Sequence, residues 1–421
     1  MIICVLFPLS PVPCHPSSFP LLITLLVTRF WPVDPSVGMN LLLRGMLEQL
    51  TAFSAGMVVF WAFAFGLLIQ LFYHLYFFIR VARFKEGKRS ENLPPVSVII
   101  CAKNEDDNLT LHLPLILNQD YPDFEVVVVN DCSYDLTGDV LEEFAKKNPK
   151  LKIVTIKEDE YYQHGKKVAV MMGIKGANHE HLVLTDADCR PASDQWLRKI
   201  ASDFDEKTEI VLGYGPYEKT KGLLNKLIRF DAFFIALQYL SYSLGGVTYM
   251  GVGRNLAYKK ELFYRKKGFA SHYHIQSGDD DLFVNEAASK TNTRVELDAA
   301  SFCYSDAKKN MREWWFHKKR HLQTGKRYKF SHKFLLGLYV LSQWIFLGSF
   351  VTALILMFQP YIVLGAFVLR LSIQMLIFNF AMKRMNERDL LPLAPIMEIF
   401  FMLFYPIITI SRIFQRKRRW N

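Results

Sequence analysis

Val96-Ser97-Val98-Ile99-Ile100-Cys101-Ala102 and Glu125-Val126-Val127-Val128-Val129-Asn130 are two short apolar runs rich in β-branched residues. A strand with one wet face alternates apolar and polar residues, whereas a near-continuous apolar run marks a strand covered on both faces. Residues 152–156 and 182–185 repeat the pattern more weakly. Residues 109–117, 137–147, 166–175 and 195–204 read as helices between and after these strands. Buried strands separated by helices predict an α/β fold with a mostly parallel, Rossmann-like sheet.

Open sheets of this kind bind ligands beyond the carboxyl ends of their strands. The polar clusters sit at those ends: Asn104-Glu105 after the first strand, Asp131 after the second, and Asp186 and Asp188 after the fourth. Any one of them is explained by a solvated loop; three at equivalent ends of one sheet point to a site. No GxGxxG or GxxxxGK[ST] occurs, which disfavours dinucleotide and P-loop sites.

Thr185-Asp186-Ala187-Asp188 is an Asp-x-Asp at a strand end. Carboxylates so placed can hold a hard cation, Mg²⁺ or Mn²⁺, that bridges diphosphate oxygens. Gly278-Asp279-Asp280-Asp281 opens a helix predicted over 282–288. Three adjacent carboxylates repel one another unless helix dipoles or a cation compensate. They read either as a solvated helix cap or as a general base for an acceptor hydroxyl. Gly165-Lys166-Lys167 begins another helix after 161–164. Lys166 is placed to meet a phosphate or a base carbonyl; a solvated surface pair is the other reading. The basic, aromatic segment 314–327 (WWFHKKRHLQTGKR) suits single-stranded nucleic acid, a diphosphate, or a membrane surface.

The whole chain, 421 residues, is 51% hydrophobic yet 22% charged, and carries a net charge of +11 from 51 basic against 40 acidic residues. Its basic residues cluster beside apolar stretches (Arg80, Arg83, Lys85, Lys88 and Arg89, then Arg416 to Arg419). That placement favours attraction to an anionic leaflet over nucleic-acid binding. The six cysteines are scattered singly without CxxC spacing, so neither zinc nor a disulfide framework is expected, and reduced cytosolic thiols fit.

Residues 49–79 contain no Asp, Glu, Lys or Arg, more than the roughly 20 residues that cross a bilayer. The basic residues that follow place the next domain, 90–330, in the cytosol. A second uncharged stretch, 334–369, is broken at Pro360 and gives candidate spans at 334–358 and 361–382. A third apolar run covers 390–410. The loop with Lys383, Arg384 and Arg388 and the tail 411–421 both read as cytosolic, which leaves 390–410 interfacial or re-entrant unless three true spans are present. Arg370 and Glu398 lie inside apolar runs, where an unpaired charge is costly, and are expected to pair. The first 38 residues hold seven prolines and no basic n-region. They do not read as a signal peptide, and Met39 or Met46 is an alternative start. The expected location is the plasma or inner membrane, multi-pass.

Taken in order, VSVIICAKNE, VVVVNDCSYD, GKKVAVMMG, TDAD and GDDD resemble the motifs of glycosyltransferase family 2, the inverting enzymes with a GT-A fold, over roughly 95–327. The resemblance implies that Asn104, Glu105, Asp131 and Lys166 bind a nucleotide-sugar, with Asp131 on the base. It implies that Asp188 is the metal ligand with Asp186 beside it, and that Asp280 is the catalytic base. The last family motif, Gln-x-x-Arg-Trp in membrane-bound processive members, reads His317-Lys318-Lys319-Arg320-His321 here. The arginine is kept, so Arg320, with His321, is expected at the diphosphate. The missing glutamine and tryptophan put processive synthesis in doubt. An N-terminal span with two or three C-terminal spanning or interfacial helices resembles the membrane-integrated branch. The implied partners are a nucleotide-sugar donor, UDP favoured, and a lipid-linked or glycan acceptor, with no nucleic acid. Two rival readings are a membrane nucleotidyl- or phosphosugar-transferase using the same metal site, and a non-catalytic membrane protein that retains the fold.

Overall fold

The computed structural model describes residues 35–413 apart from 88, 91, 158–164 and 276. The expectations for the leader before residue 35, for Lys88, for 161–164 and for the basic tail from 414 therefore lie outside the described residues. A first helix, α1, runs over Pro35–Phe72 and continues through a π-helical turn at Tyr73–Phe78 into Ile79–Ala82.

The α/β half of the chain begins with strand β1 (Val96–Ala102), helix α2 (Asp106–Leu117), β2 (Phe124–Asp131), α3 (Thr137–Lys147), β3 (Leu151–Ile156), α4 (Lys166–Gly176) and β4 (His181–Asp186). These four strands are parallel neighbours in the order β3-β2-β1-β4. Every residue of β2 is buried, as its unbroken valines require. Helix α4 lies so close to the sheet that a Cβ at Gly173 would sit 2.6 Å from Ile99 Cγ2.

Beyond β4 come β5 (Cys189–Pro191), α5 (Trp196–Ala201), β6 (Ile210–Leu212), α6 (Leu223–Leu244), β7 (Leu256–Lys259), α7 (Lys260–Arg265), α8 (Asp281–Ala287), β8 (Thr293–Val295) and β9 (Cys303–Ser305). Here the sheet becomes mixed: β7 pairs antiparallel with β4 and with β6, and β6 pairs parallel with β8. β5 and β9 form a separate antiparallel ribbon. The helix expected over 195–204 stops at Ala201. The Asp203 and Phe204 amides bond three residues back, to Ile200 O and Ala201 O, and the chain tightens out of the α-helix.

Helix α9 (Met311–His321) leads into α10 (Phe330–Ile355), α11 (Pro360–Arg384) and α12 (Ala394–Ile413). Four segments among the described residues, Leu43–Ala82, Phe330–Ile355, Pro360–Arg384 and Arg388–Ser411, are long and apolar enough to cross a membrane. Between α10 and α11 the turn uses left-handed Met357 and Gln359 and places Pro360 in the first helical turn, where its missing N–H is harmless. α1 packs along α10; a Cβ on Gly66 would lie 2.9 Å from the Phe346 backbone nitrogen, so only glycine permits this approach.

The two charges inside the apolar runs meet. Arg370 Nη2 lies 2.6 Å from Glu398 Oε1, and Gln374 and Gln343 each donate to the same carboxylate, at 2.9 and 2.8 Å. α12 lies against the α/β half: Phe401 stacks on Phe230, Phe404 on Trp314, and the Tyr405 hydroxyl donates to Asp231. One apolar core therefore runs from the sheet face at Ile99 and Val127 through α6 to Phe378 and Met397 of the apolar helices. The opposite sheet face has its own core, built on Val98, Val126 and Trp196.

Candidate active site

At the carboxyl ends of β1 and β2 two loops are tied together. Asn104 takes a left-handed φ of +57°. Its amide donates to Ser133 Oγ (3.0 Å) and its Oδ1 accepts from the Tyr134 amide (2.9 Å). The Glu105 amide donates to Thr137 Oγ1, and its carboxylate accepts from Asn108 Nδ2. Burial, reinforced by Asp188 and Asp186, raises the Glu105 pKa. Asp131 ends β2 and is 6% exposed. Its buried Oδ1 has no hydrogen-bond partner among the described residues. An orphaned buried acceptor is costly, and a ligand N–H would relieve it.

β4 ends at Asp186, and the turn that follows brings Asp188 and Cys189 round, so that one ligand atom of each lies within 4.8 Å of the others. Lys166, at the start of α4, reaches Asp186 Oδ1 at 2.6 Å and Asp279 Oδ2 at 3.5 Å. Burial works against both charges of the Lys166–Asp186 pair, but their attraction prevails. Lys166 stays well above its ordinary pKa and Asp186 below its own. Asp188 goes the other way, raised by burial and by Asp186. A pair of carboxylates of which one is under-compensated fits a hard divalent cation; the buried Cys189 thiol, itself pushed up by burial, is a poor ligand for one.

Asp280 caps α8. Its Oδ1 accepts from the Asp281 amide (2.7 Å) and its Oδ2 from the Gly253 amide (2.8 Å). Burial, then Asp279 and Asp281, push its carboxyl up to about 7. Asp281 is turned elsewhere, bonded by Thr324 and by the Tyr328 hydroxyl. Of the three adjacent acids, Asp280 thus combines a cavity position with a proton affinity suited to acid–base work near neutrality.

α9 brings Arg320 to the cavity. Lys318 is spent on Asp231. Arg320 and His321 face the cavity, and His321 Nε2 lies 3.0 Å from His317 Nε2. The cavity walls and neighbouring Lys318 and Arg320 hold the His321 imidazole far below its ordinary pKa.

Asn104, Glu105, Asp131, Lys166, Asp186, Asp188, Asp280, Arg320 and His321 all line one cavity of about 1400 Å³. The sequence reading missed Arg254, which lines the same cavity, donates to Ser305 Oγ (2.6 Å) and lies over the Tyr217 ring. The Gly251-Val252-Gly253-Arg254 segment offers no recognisable motif; only the fold shows that the Gly253 amide meets Asp280. Carboxylates and the cations Lys166, Arg254 and Arg320 lining one cavity form a site that could hold a diphosphate and accept a proton.

Residues 97–265 match the family described as Glycosyl transferase family 2. The chain carries a family 2 glycosyltransferase domain. Over 127 residues it is 34% identical to an uncharacterized glycosyltransferase of Haemophilus influenzae, which is 30% of this chain and 38% of that protein. Over 161 residues it is 31% identical to the probable glycosyltransferase YdaM of Bacillus subtilis, 37% of this chain and 38% of that protein. The chain thus spans 38% of the length of each of these two relatives. The mannosyltransferase PcManGT from Pyrobaculum calidifontis, solved with GDP-Man and Mn²⁺, superposes with a TM-score of 0.53 at 20% identity. That superposition covers 81% of this chain and 97% of that one. The glycosyltransferase domain accordingly has the GT-A fold, with the apolar helices built onto it.

Proposed function

We propose that the protein is a membrane-bound inverting glycosyltransferase that moves a sugar from a nucleoside-diphosphate donor to a lipid-linked or glycan acceptor. The observation that carries this reading is the convergence of Asp131, Asp186, Asp188, Asp280 and Arg320, far apart in sequence, on one cavity. Asp131 Oδ1 takes the base N–H it lacks at present. Asp188, with Asp186, would hold Mg²⁺ or Mn²⁺, which supplies positive charge to the donor diphosphate. Lys166, Arg254 and Arg320 add charge on the leaving-group side. Asp280 removes the acceptor's proton while the acceptor oxygen attacks the anomeric carbon from the face opposite the diphosphate, so the configuration inverts.

A UDP-sugar is the favoured donor, and the GDP-Man bound by the structural relative makes guanosine diphosphate the first alternative to try. The four apolar segments support a multi-pass membrane protein with the glycosyltransferase domain in the cytosol. α12, held against α6 and α9, takes the place of an interfacial or re-entrant helix, which leaves both basic loops on the cytosolic side. The test is to incubate the purified full chain in detergent with a panel of nucleotide-sugars and Mn²⁺ or Mg²⁺. Metal-dependent release of a nucleoside diphosphate from one donor is expected; no binding or turnover of any donor would overturn the reading.

A further inference from the structure

The cavity that holds the acid cluster does not end at the glycosyltransferase domain. It continues between α6, α10 and α12, where Phe234, Ile235, Leu336, Val340, Phe401 and Met402 line it. Along α10 this arm runs from Lys333 to Gln343, about 15 Å at roughly 1.5 Å per residue. That is about half of a ~30 Å hydrocarbon core, one leaflet's depth.

The far end is stopped. Glu398 and Gln343 line the cavity there, and behind them Arg370, Gln374 and Gln70 complete a buried, mutually hydrogen-bonded plug. Further along the same helices Phe63, Phe346 and Val363 pack as a closed core, with the Phe63 and Phe346 rings stacked at 5.1 Å and Phe350 on Phe367 at 4.2 Å. An arm that is apolar along its walls and plugged at one end suits a chain that is held, and it does not suit a glycan being passed across the bilayer. At the other end Asp280 lines the cavity beside the Gly253 amide; a neutral hydroxyl has a proton to give that carboxylate, whereas a phosphate dianion has none.

We infer that the acceptor is a membrane lipid with a free hydroxyl, its acyl chain seated in the arm between α6, α10 and α12 and its hydroxyl beside Asp280. This inference rests on the transfer reading above and names its acceptor class. In the step, the lipid oxygen bonds to the anomeric carbon and its proton passes to Asp280. The anomeric carbon–oxygen bond to the diphosphate breaks, and the nucleoside diphosphate leaves with the electron pair. The product is a glycolipid.

Two measurements test it on the full chain in phosphatidylcholine vesicles containing dioleoylglycerol as the probe. In the first, labelled donor sugar should become extractable into organic solvent. Val340→Trp, which fills the arm, should lower that signal at least tenfold with donor affinity unchanged. Label confined to water-soluble product, or full lipid labelling by the Val340→Trp variant, would overturn the inference. The second needs neither turnover nor a mutant. A lipid with a diazirine in its acyl chain should photolabel the cavity-lining Phe401 and Met402 in competition with dioleoylglycerol, and labelling only of the exposed Leu341 and Trp344, which do not line the cavity, would overturn the inference. If Asp280→Asn still transfers sugar, the catalytic reading falls and the labelling pattern judges the lipid site by itself.

Discussion

The two ends of the cavity each carry buried carboxylates, and they are built on opposite principles. At the membrane end Glu398 is fully satisfied: Arg370 bonds both of its oxygens, and Gln343 and Gln374 fill the remaining positions. At the sheet end the acids are left wanting. Asp131 has an orphaned oxygen, Asp188 is raised by Asp186, and Asp280 is raised to about 7 by burial and by its neighbours. A satisfied buried network fixes a structure, whereas an under-satisfied one stores a demand that a ligand can meet. Within the cavity, the contrast sets the framework end apart from the end where a ligand is needed.

The sharpest way to break the contrast is at Asp280. Asp280→Asn should lower transfer by about 10²–10⁴-fold, the usual worth of a positioned base, with donor affinity nearly intact by calorimetry. It should also raise the thermal midpoint at pH 8. Because the folded-state pKa lies above the unfolded value, Asp280 adds stability at low pH that is lost as pH rises through about 7. The matching change at the other end, Glu398→Leu, strands Arg370 and should cost about 3–5 kcal/mol of stability, read as a fall in the thermal midpoint in detergent. The charge-swapped pair Arg370→Glu with Glu398→Arg should recover what either single reversal loses; no recovery would remove the pairing from the account.

Smaller effects sharpen the sheet end. Lys166→Met removes the ion pair that holds Asp186 down and should raise the donor KM about tenfold, the worth of one charge-assisted hydrogen bond. Transfer as kcat/KM should fall about tenfold per pH unit below about 7, as Asp280 gains its proton. Asp279→Asn takes away the strongest charged neighbour of Asp280 and should move that acid limb downward by about one unit. An unmoved limb would assign the titration to another group.

How far the sequence alone carries depends on how much of each element lies within one run of residues. β1 and β2 were readable because seven and eight consecutive residues pack between two layers, all of them buried but the partly exposed Cys101. β6, β7 and β8 are three or four residues long, too short to show a period, and the antiparallel return of β7 follows from packing that no local pattern records. The acids of the site were readable because carboxylates at strand ends are conspicuous. The backbone amide of Gly253 and the guanidinium of Arg254 were not, since their role depends on a loop that folds back over Asp280. The plug at Arg370 and Glu398 was readable because a charge in an apolar run demands a partner, yet the glutamines that complete it, Gln70, Gln343 and Gln374, gave no such signal.

Following the anomeric signal by NMR during one turnover of the full chain, with its donor and metal, tests the central claim most directly. Inversion at the anomeric carbon together with release of a nucleoside diphosphate is the result expected from Asp280 acting as base opposite the diphosphate. A product that keeps the donor's anomeric configuration, or release of a nucleoside monophosphate or of pyrophosphate, would contradict it.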